Sequence, residues 1–351
     1  MRSTCFRRPA GGIALVALIA LVAPSHEATA HNFCASTAQE LRDALAQVSD
    51  GGPYVDEPSI IAIGPGVYAT GGTPFRSEAL TSTAKLDIIG SWGVGCSSRP
   101  PGPPTTVLDA GGVGGVLVIK RPHAFVYIRR MVLRNGNADV GAGLQMNYGT
   151  TPTAMVALYQ MDIRNNHASG NGGGLYISAS APPNFGAIGI ASSLIADNSS
   201  GGDGGGAYLE IAGGYRSSLS SLTIASNTAA GTAGGIAATG AASTYEMIST
   251  IAWGNTPASV RFDLPSTIAW SNIELIAPGA ALEIDEVTGF DPMFVDPAAG
   301  NYYFGNVPGL ARSGAPHLYV PADLDDHAFP PNQGRYRADM GAYMDTRFVH
   351  G

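Results

Sequence analysis

One phrase recurs between Leu133 and Asn272 and constrains the fold more than any other feature of the chain. Ile163-Arg-Asn-Asn166 precedes Gly172-Gly-Gly-Leu175, Ile195-Ala-Asp-Asn198 precedes Gly204-Gly-Gly-Ala207, and Ile224-Ala-Ser-Asn227 precedes Gly234-Gly-Ile236. A weaker first copy reads Leu133-Arg-Asn-Gly-Asn137, then Gly141-Ala-Gly-Leu144. From Ile163 to Ile195 is 32 residues, and from Ile195 to Ile224 is 29. Repeats of that length are stacked units, none of which buries its apolar face alone.

No copy contains a helix-length amphipathic run. Each has short alternating pieces such as Leu175-Tyr-Ile177, Ala187-Ile-Gly-Ile190 and Ser218 to Ile224, separated by Gly, Ser and Asn. That is strand and turn punctuation. A unit of this size holds roughly three strands of ~5 residues. Coils of such strands, stacked ~4.8 Å apart, make a parallel β-helix. Ile163, Ile195 and Ile224 then form an inward ladder. Asn166, Asn198 and Asn227 form an amide ladder at a turn, a structural role, since stacked amides bond from one strand to the next.

The Asn followed by Gly-Gly and an apolar residue resembles the repeats of right-handed parallel β-helix proteins, polymorphic outer-membrane proteins among them. The mature chain as a whole is similar to bacterial surface proteins of the choice-of-anchor Q type, with a pectin-lyase-like fold. Gly64-Pro-Gly-Val-Tyr68, Gly90-Ser-Trp-Gly-Val-Gly-Cys96 and Thr106-Val-Leu-Asp109 resemble the first coils of that family. Asp291-Pro-Met-Phe-Val-Asp-Pro297, Asn301-Tyr302, Asp323 to Asp326 and Asp339-Met-Gly-Ala-Tyr343 resemble its C-terminal end. The resemblance implies an all-β fold: a right-handed, single-stranded parallel β-helix (a β-solenoid) with an N-terminal capping helix. Residues 291–351 would be a C-terminal segment capping the last coil. No sorting anchor follows Tyr343 in the sequence, so the expectation is release or periplasmic residence rather than anchoring.

The first 30 residues give the address. Arg2, Arg7 and Arg8 precede an apolar run from Ile13 to Ala23, and Ala28-Thr-Ala30 is a cleavage pattern. This reads as a secretory signal peptide, since the apolar run is short for a ~30 Å membrane core. The mature chain carries no transmembrane segment in this reading. Cys5 leaves with the leader, and the remaining pair, Cys34 and Cys96, suggests a disulfide in a secreted chain. Without the leader 16 basic residues face 26 acidic ones, a net charge of −10. Lys85 and Lys120 are the only lysines. With no basic stripe, nucleic acid is not an expected partner.

Ser36 to Val48 is the one convincing helix. Thr37 and Glu40 stand at capping-box spacing, and Ala38, Leu41, Leu45 and Val48 share a face. It is expected to plug the first coil, whose open end would expose unpaired strand groups. The β-helix proper spans 31–290, and a monomer is expected.

Two stretches could carry a ligand. Ile251-Ala-Trp-Gly-Asn255 and Ile268-Ala-Trp-Ser-Asn272 match closely, 17 residues apart. The expectation is that Trp253 and Trp270 stack on shorter coils, chiefly as packing, or present a sugar-binding platform. Asp323, Asp325 and Asp326, with His327, form the densest acidic cluster. Such a cluster is either a solvated loop or a weak extracellular Ca²⁺ site, and no other cofactor is implied.

Parallel β-helices commonly host polysaccharide lyases and hydrolases. A lyase needs carboxylates to hold Ca²⁺ against a uronate and a basic residue to take a proton. A hydrolase needs two or three carboxylates about one bond. In the clear repeats the acids are Asp162, Asp197, Asp203 and Glu210, and Asp162 and Asp197 fall at different places in the coil. The Asn-Thr-Asp, paired-Asp and Gly-His-Gly signatures of polygalacturonase-like enzymes do not occur in the repeats. The Trp-Ile-Asp-His and Arg-x-Pro-x-x-Arg patterns of pectate lyases are absent too. The favoured role is therefore binding, adhesion or structure, directed at a polysaccharide or a cell-surface partner. The alternative is a polysaccharide lyase or glycoside hydrolase, because fold does not fix function. Neighbouring carboxylates on adjacent coils would favour the enzyme, and a flat face of Ser, Thr, Asn and aromatics would favour binding.

Overall fold

The repeated phrase builds strands that lie edge to edge from one copy to the next. In the computed structural model, the described residues are 30–149, 154–180, 187–241, 243–280, 282–304, 322–327 and 340–343. The signal-peptide reading and Asp339 lie outside them. The fold is an all-β parallel solenoid of about seven turns. Ile163 pairs with Leu133 and Ile195, and Ile195 with Ile224, so the inward ladder stands in register.

Each central coil uses a ten-residue strand, a two-residue strand and a strand of four to six residues. These are Met155–Arg164, His167–Ala168 and Leu175–Ser180 in one coil, and Ala187–Ala196, Ser199–Ser200 and Ala207–Ala212 in the next. Instead of three separate strands of about five, two are fused and bent. The bend is one left-handed residue, Gln160, Ser192 or Ser221, at φ between 46° and 53°. A second left-handed residue, Asn165, Asp197 or Ser226, makes the next corner. The left-handed residue is thus the one before each ladder asparagine.

The asparagines take the inward place beyond that corner. The Asn198 amide donates to Asn227 Oδ1 at 3.0 Å and to the Ile163 carbonyl at 2.9 Å. It accepts from the backbone N–H and the amide of Asn166. The ladder runs on to Asn255, whose Oδ1 accepts from Asn227 at 2.9 Å. The Gly-Gly run belongs to the same device. A Cβ on Gly174 would lie 2.9 Å from the Asn198 amide, and one on Gly206 3.0 Å from that of Asn227. Only glycine lets the next segment pass over the amide.

The helix α1, Ala38–Gln47, is capped as its sequence predicts. Thr37 Oγ1 accepts from the Glu40 N–H, and the Glu40 carboxylate accepts from the Thr37 and Ser36 N–H groups. Leu41, Leu45 and Val48 join the same core as Ile61, Phe75 and Leu86. Arg121, 1% exposed, lies below the helix end and donates to the carbonyls of Val48, Val55 and Ala84. Burial lowers its guanidinium to about 10. The Cys34–Cys96 disulfide is formed. No helix among the described residues is long and apolar enough to cross a membrane.

The C-terminal segment departs from expectation. Its described residues do not close the last coil but run back along the outer face of the long sheet. Phe294–Asp296 and Asn301–Phe304 form an antiparallel hairpin. Tyr302, Leu324, Ala342 and Tyr343 pack on Leu194, Ala196 and Ala225. Those three sheet residues alternate with the inward ladder and so point outward, where the strap hides them.

Candidate functional site

The long sheet spends the middle of its outer face on the strap. The Tyr159 hydroxyl donates to the Ala322 carbonyl at 2.9 Å, the Ser192 hydroxyl donates to the same carbonyl at 2.7 Å, and the Gln160 amide donates to Asp323 O at 2.7 Å. The Ala342 N–H donates to Thr223 Oγ1 at 2.9 Å. Arg130 pairs with Asp326 at 2.8 Å.

This seam gathers acids that lie far apart in sequence. Asp162 is held by Arg164 on its own strand. Asp197 accepts from the Tyr302 hydroxyl at 2.6 Å, and Asp325 accepts from that of Tyr303. Burial pushes all three carboxyls above the usual carboxylate range, against the pull of these partners. Perturbed acids often mark chemistry. Here Asp162 and Asp325 are each 7% exposed, and each acid already has a partner. The seam is a latch between tail and solenoid. Sequence reasoning weighed Asp162 and Asp197 separately and missed Arg164, Tyr302 and Tyr303; the Asn301-Tyr-Tyr-Phe304 strand was the available signal.

The acidic cluster is taken apart by the same latch. Asp323 accepts from the His327 backbone and faces its imidazole at 3.1 Å, Asp325 faces Tyr303, and Asp326 faces Arg130. Among the described residues no three His, Cys, Asp or Glu stand together as a metal-binding group. The Ca²⁺ expectation thus has no converging ligand set in the described residues.

The tryptophans are not brought together. Trp253 pairs with Ala225, beside the Asn corner, whereas Trp270 occupies the mid-strand bend equivalent to Ser249, at φ 45°. Asn255 extends the ladder, but Asn272 pairs with Ile251 instead. The two matching phrases lie half a strand out of phase. The turn at Asn255 is unchanged, and the extra residue arises because Ala252, not Ile251, takes the inward place. The expected stack and its shorter coil with a different turn at Asn255 are corrected accordingly.

What stays open is the second sheet. Its strands Phe75–Glu78, Leu117–Lys120, Leu144–Tyr148, Leu175–Ser180, Ala207–Ala212, Ile236–Thr239 and Val260–Phe262 stack in register. Leu144, Leu175, Ala207 and Ile236 face the core. The alternate positions face out, as one row of Gln145, Tyr176 and Tyr208 and another of Asn147, Ser178, Glu210 and Thr239. The rings of Tyr176 and Tyr208 lie 5.8 Å apart and 7° from parallel. The Tyr176 hydroxyl donates to Glu210 at 2.6 Å, and Tyr208 and Thr239 share a 3.1 Å hydrogen bond. Burial and that carboxylate raise the Tyr176 hydroxyl to about 12. The face is flat, rich in amides and hydroxyls, and aromatic at its centre. Neither tyrosine was singled out by the sequence, although each follows a Gly-Gly-apolar run by one residue.

No family model matches the chain, and no curated protein matches it.

Proposed function

We propose that this chain is an extracytoplasmic, non-catalytic binding protein that offers the outer face of its second sheet to a glycan or a glycan-bearing surface partner. The observation that carries the reading is the row Gln145, Tyr176 and Tyr208 beside Asn147, Ser178 and Thr239, in register on neighbouring coils. Hydroxyls and amides there can exchange hydrogen bonds with sugar hydroxyls, and tyrosines suit a half-wet apolar surface. The face holds two glutamates among its described residues, Glu78 and Glu210, and each is engaged: Glu78 with Arg76 and Lys120, Glu210 with Tyr176. They lie on coils separated by those of Lys120, Asn147 and Ser178, which is not the pairing that a hydrolase needs. A right-handed coil, secretion by the N-terminal leader and kinship with choice-of-anchor Q proteins belong to the same proposal and rest on the sequence motifs. The disulfide fits an oxidising compartment.

The test is glycan pull-down by the mature protein over acidic and neutral polysaccharides, run beside assays for new reducing ends and unsaturated uronate, with and without Ca²⁺. Binding is expected without turnover. It should fall at least tenfold in Tyr176→Ala/Tyr208→Ala, whose folding is checked by circular dichroism. Turnover on any substrate would replace this reading with the polysaccharide-enzyme alternative. Binding that survives the double substitution would move the site off this face.

A further inference from the structure

A cleft of about 690 Å³ opens at the N-terminal end of the long sheet, well away from the tyrosine face. Its floor is the outward side of the first four strands. Asn32, Ile60, Asp87 and Tyr127 form one register row, and Cys34, Ala62, Ile89 and Arg129 the next. Its wall is the loop from Trp92 to Arg99. The loop is fastened at three places. The Trp92 N–H donates to the Ile63 carbonyl at 3.1 Å, Cys96 is joined to Cys34, and Arg130 donates to the carbonyls of Pro100 and Gly102 just beyond Arg99.

The charges in the cleft do not balance. Asp87 is neutralised by Lys85 at 3.0 Å, and Arg130 by Asp326. Arg99 and Arg129 line the cleft and form no ion pair with any described residue; Arg129 lies over the Tyr127 ring at 4.9 Å. Burial, and then the nearby Arg129 and Arg130, lower the Arg99 guanidinium, as uncompensated like charge does. On the two sides of the cleft, Trp92 Nε1 and Arg129 Nε are buried donors with no partner among the described residues. Buried donors left unmade are costly, and an anion is the acceptor that two guanidiniums recognise best. The rest of the lining is apolar: Phe33, Ile60, Ile89 and the Trp92 ring.

We propose that this cleft is a binding site for a small organic oxyanion, a carboxylate or a sulfate ester, carried on a ring with an apolar face. The oxyanion sits between Arg99 and Arg129, and the ring lies on the aromatic and aliphatic lining. The disulfide keeps the site formed, because it ties the wall, which carries Trp92 and Arg99, to the floor at Cys34.

The test is isothermal titration of the mature, oxidised protein with glucuronate, glucose 6-sulfate, glucose and inorganic sulfate. At least one charged sugar should bind while glucose does not, and the two charged sugars decide between carboxylate and sulfate. Arg99→Gln and Arg129→Gln should each weaken binding tenfold or more. Cys34→Ser/Cys96→Ser should weaken it comparably, with far-ultraviolet circular dichroism confirming that the solenoid persists. Tyr176→Ala/Tyr208→Ala should leave it unchanged, so loss of the glycan-face reading does not touch this one. No binding by either charged sugar, or unchanged affinity in the arginine variants, overturns the site. Inorganic sulfate binding as tightly as the charged sugars removes the ring from the proposal, and unchanged affinity without the disulfide removes the gate.

Discussion

Truncating the middle of the asparagine ladder should cost this protein more than any surface substitution. In Asn198→Ala four buried hydrogen bonds vanish: two donated by the amide, to Ile163 O and Asn227 Oδ1, and two accepted from Asn166. At a net ~1 kcal/mol each, the loss is about 4 kcal/mol. That is a large share of the 5–15 kcal/mol typical of a folded domain. The assay is urea unfolding followed by circular dichroism. The control is Asn165→Gly, one residue away at an exposed left-handed corner, φ 56°, where the change should stay within ~0.5 kcal/mol. Asn198→Asp sharpens the test, since a carboxylate has no donor for Ile163 O or Asn227 Oδ1. It should be at least as destabilising at neutral pH. Burial raises such a carboxyl above its unfolded value, so protonation restores one donor and stability should recover as pH falls. If Asn198→Ala costs no more than ~1 kcal/mol, comparable to a single ordinary hydrogen bond, the ladder is ornament and the coils are held by the apolar stack alone.

Three further outcomes follow from the structure. Arg121→Met should destabilise the N-terminal end by ~3 kcal/mol or more, because it strands the carbonyls of Val48, Val55 and Ala84; hydrogen exchange would show α1 loosened first. Reduction of Cys34–Cys96, which closes a loop of 62 residues, should remove ~4 kcal/mol on the chain-entropy account, read as a lower midpoint in reductant. Asp162, Asp197 and Asp325 have carboxyls raised in the folded state, so the native protein binds protons more tightly than the unfolded chain and melting temperature should rise as pH falls through their raised values. The gain ends near the ordinary carboxylate value, below which Asp109 and Glu78, lowered in the fold, lose their contribution. Asp197→Asn should flatten part of the rise.

The solenoid was legible because its constraints are local and periodic. Each ladder asparagine needs a glycine above it and an apolar residue two or three places away, so the same letters return at each coil. The capping helix was legible for a similar reason, since Thr37 and Glu40 satisfy each other within one turn. The strap was not. Leu194 and Ile251 point away from the core, yet are buried, because Tyr302, Tyr343 and the segment at Gly341 reach them from far along the chain. No period records such a contact. The tryptophan pair failed on phase: like phrases imply like places only when the coil length between them is a whole turn. Ala252 and Ile273 are equivalent, and so are Met247 and Ile268, but Trp253 and Trp270 are not. Arg99 and Arg129 escaped because they come from different segments and meet only through the disulfide-held loop.

The register also says where recognition can evolve on such a scaffold. A position inside the coil must serve its neighbours above and below, so Asn198 is answerable to Asn166 and Asn227, and Gly206 to the amide it passes. A residue on the outer face of the second sheet answers to less. The row Gln145, Tyr176, Tyr208, Ala237 changes character at nearly every step while the inward row beside it stays aliphatic. The long sheet lacks that freedom through its middle, where the strap demands Leu194, Ala196 and Ala225. It regains it before the strap begins, at the coils carrying Asn32, Asp87 and Arg129. The two surfaces released from structural duty are thus the tyrosine face and the arginine cleft. On a solenoid whose tail latches its own side, a ligand has those two places to read.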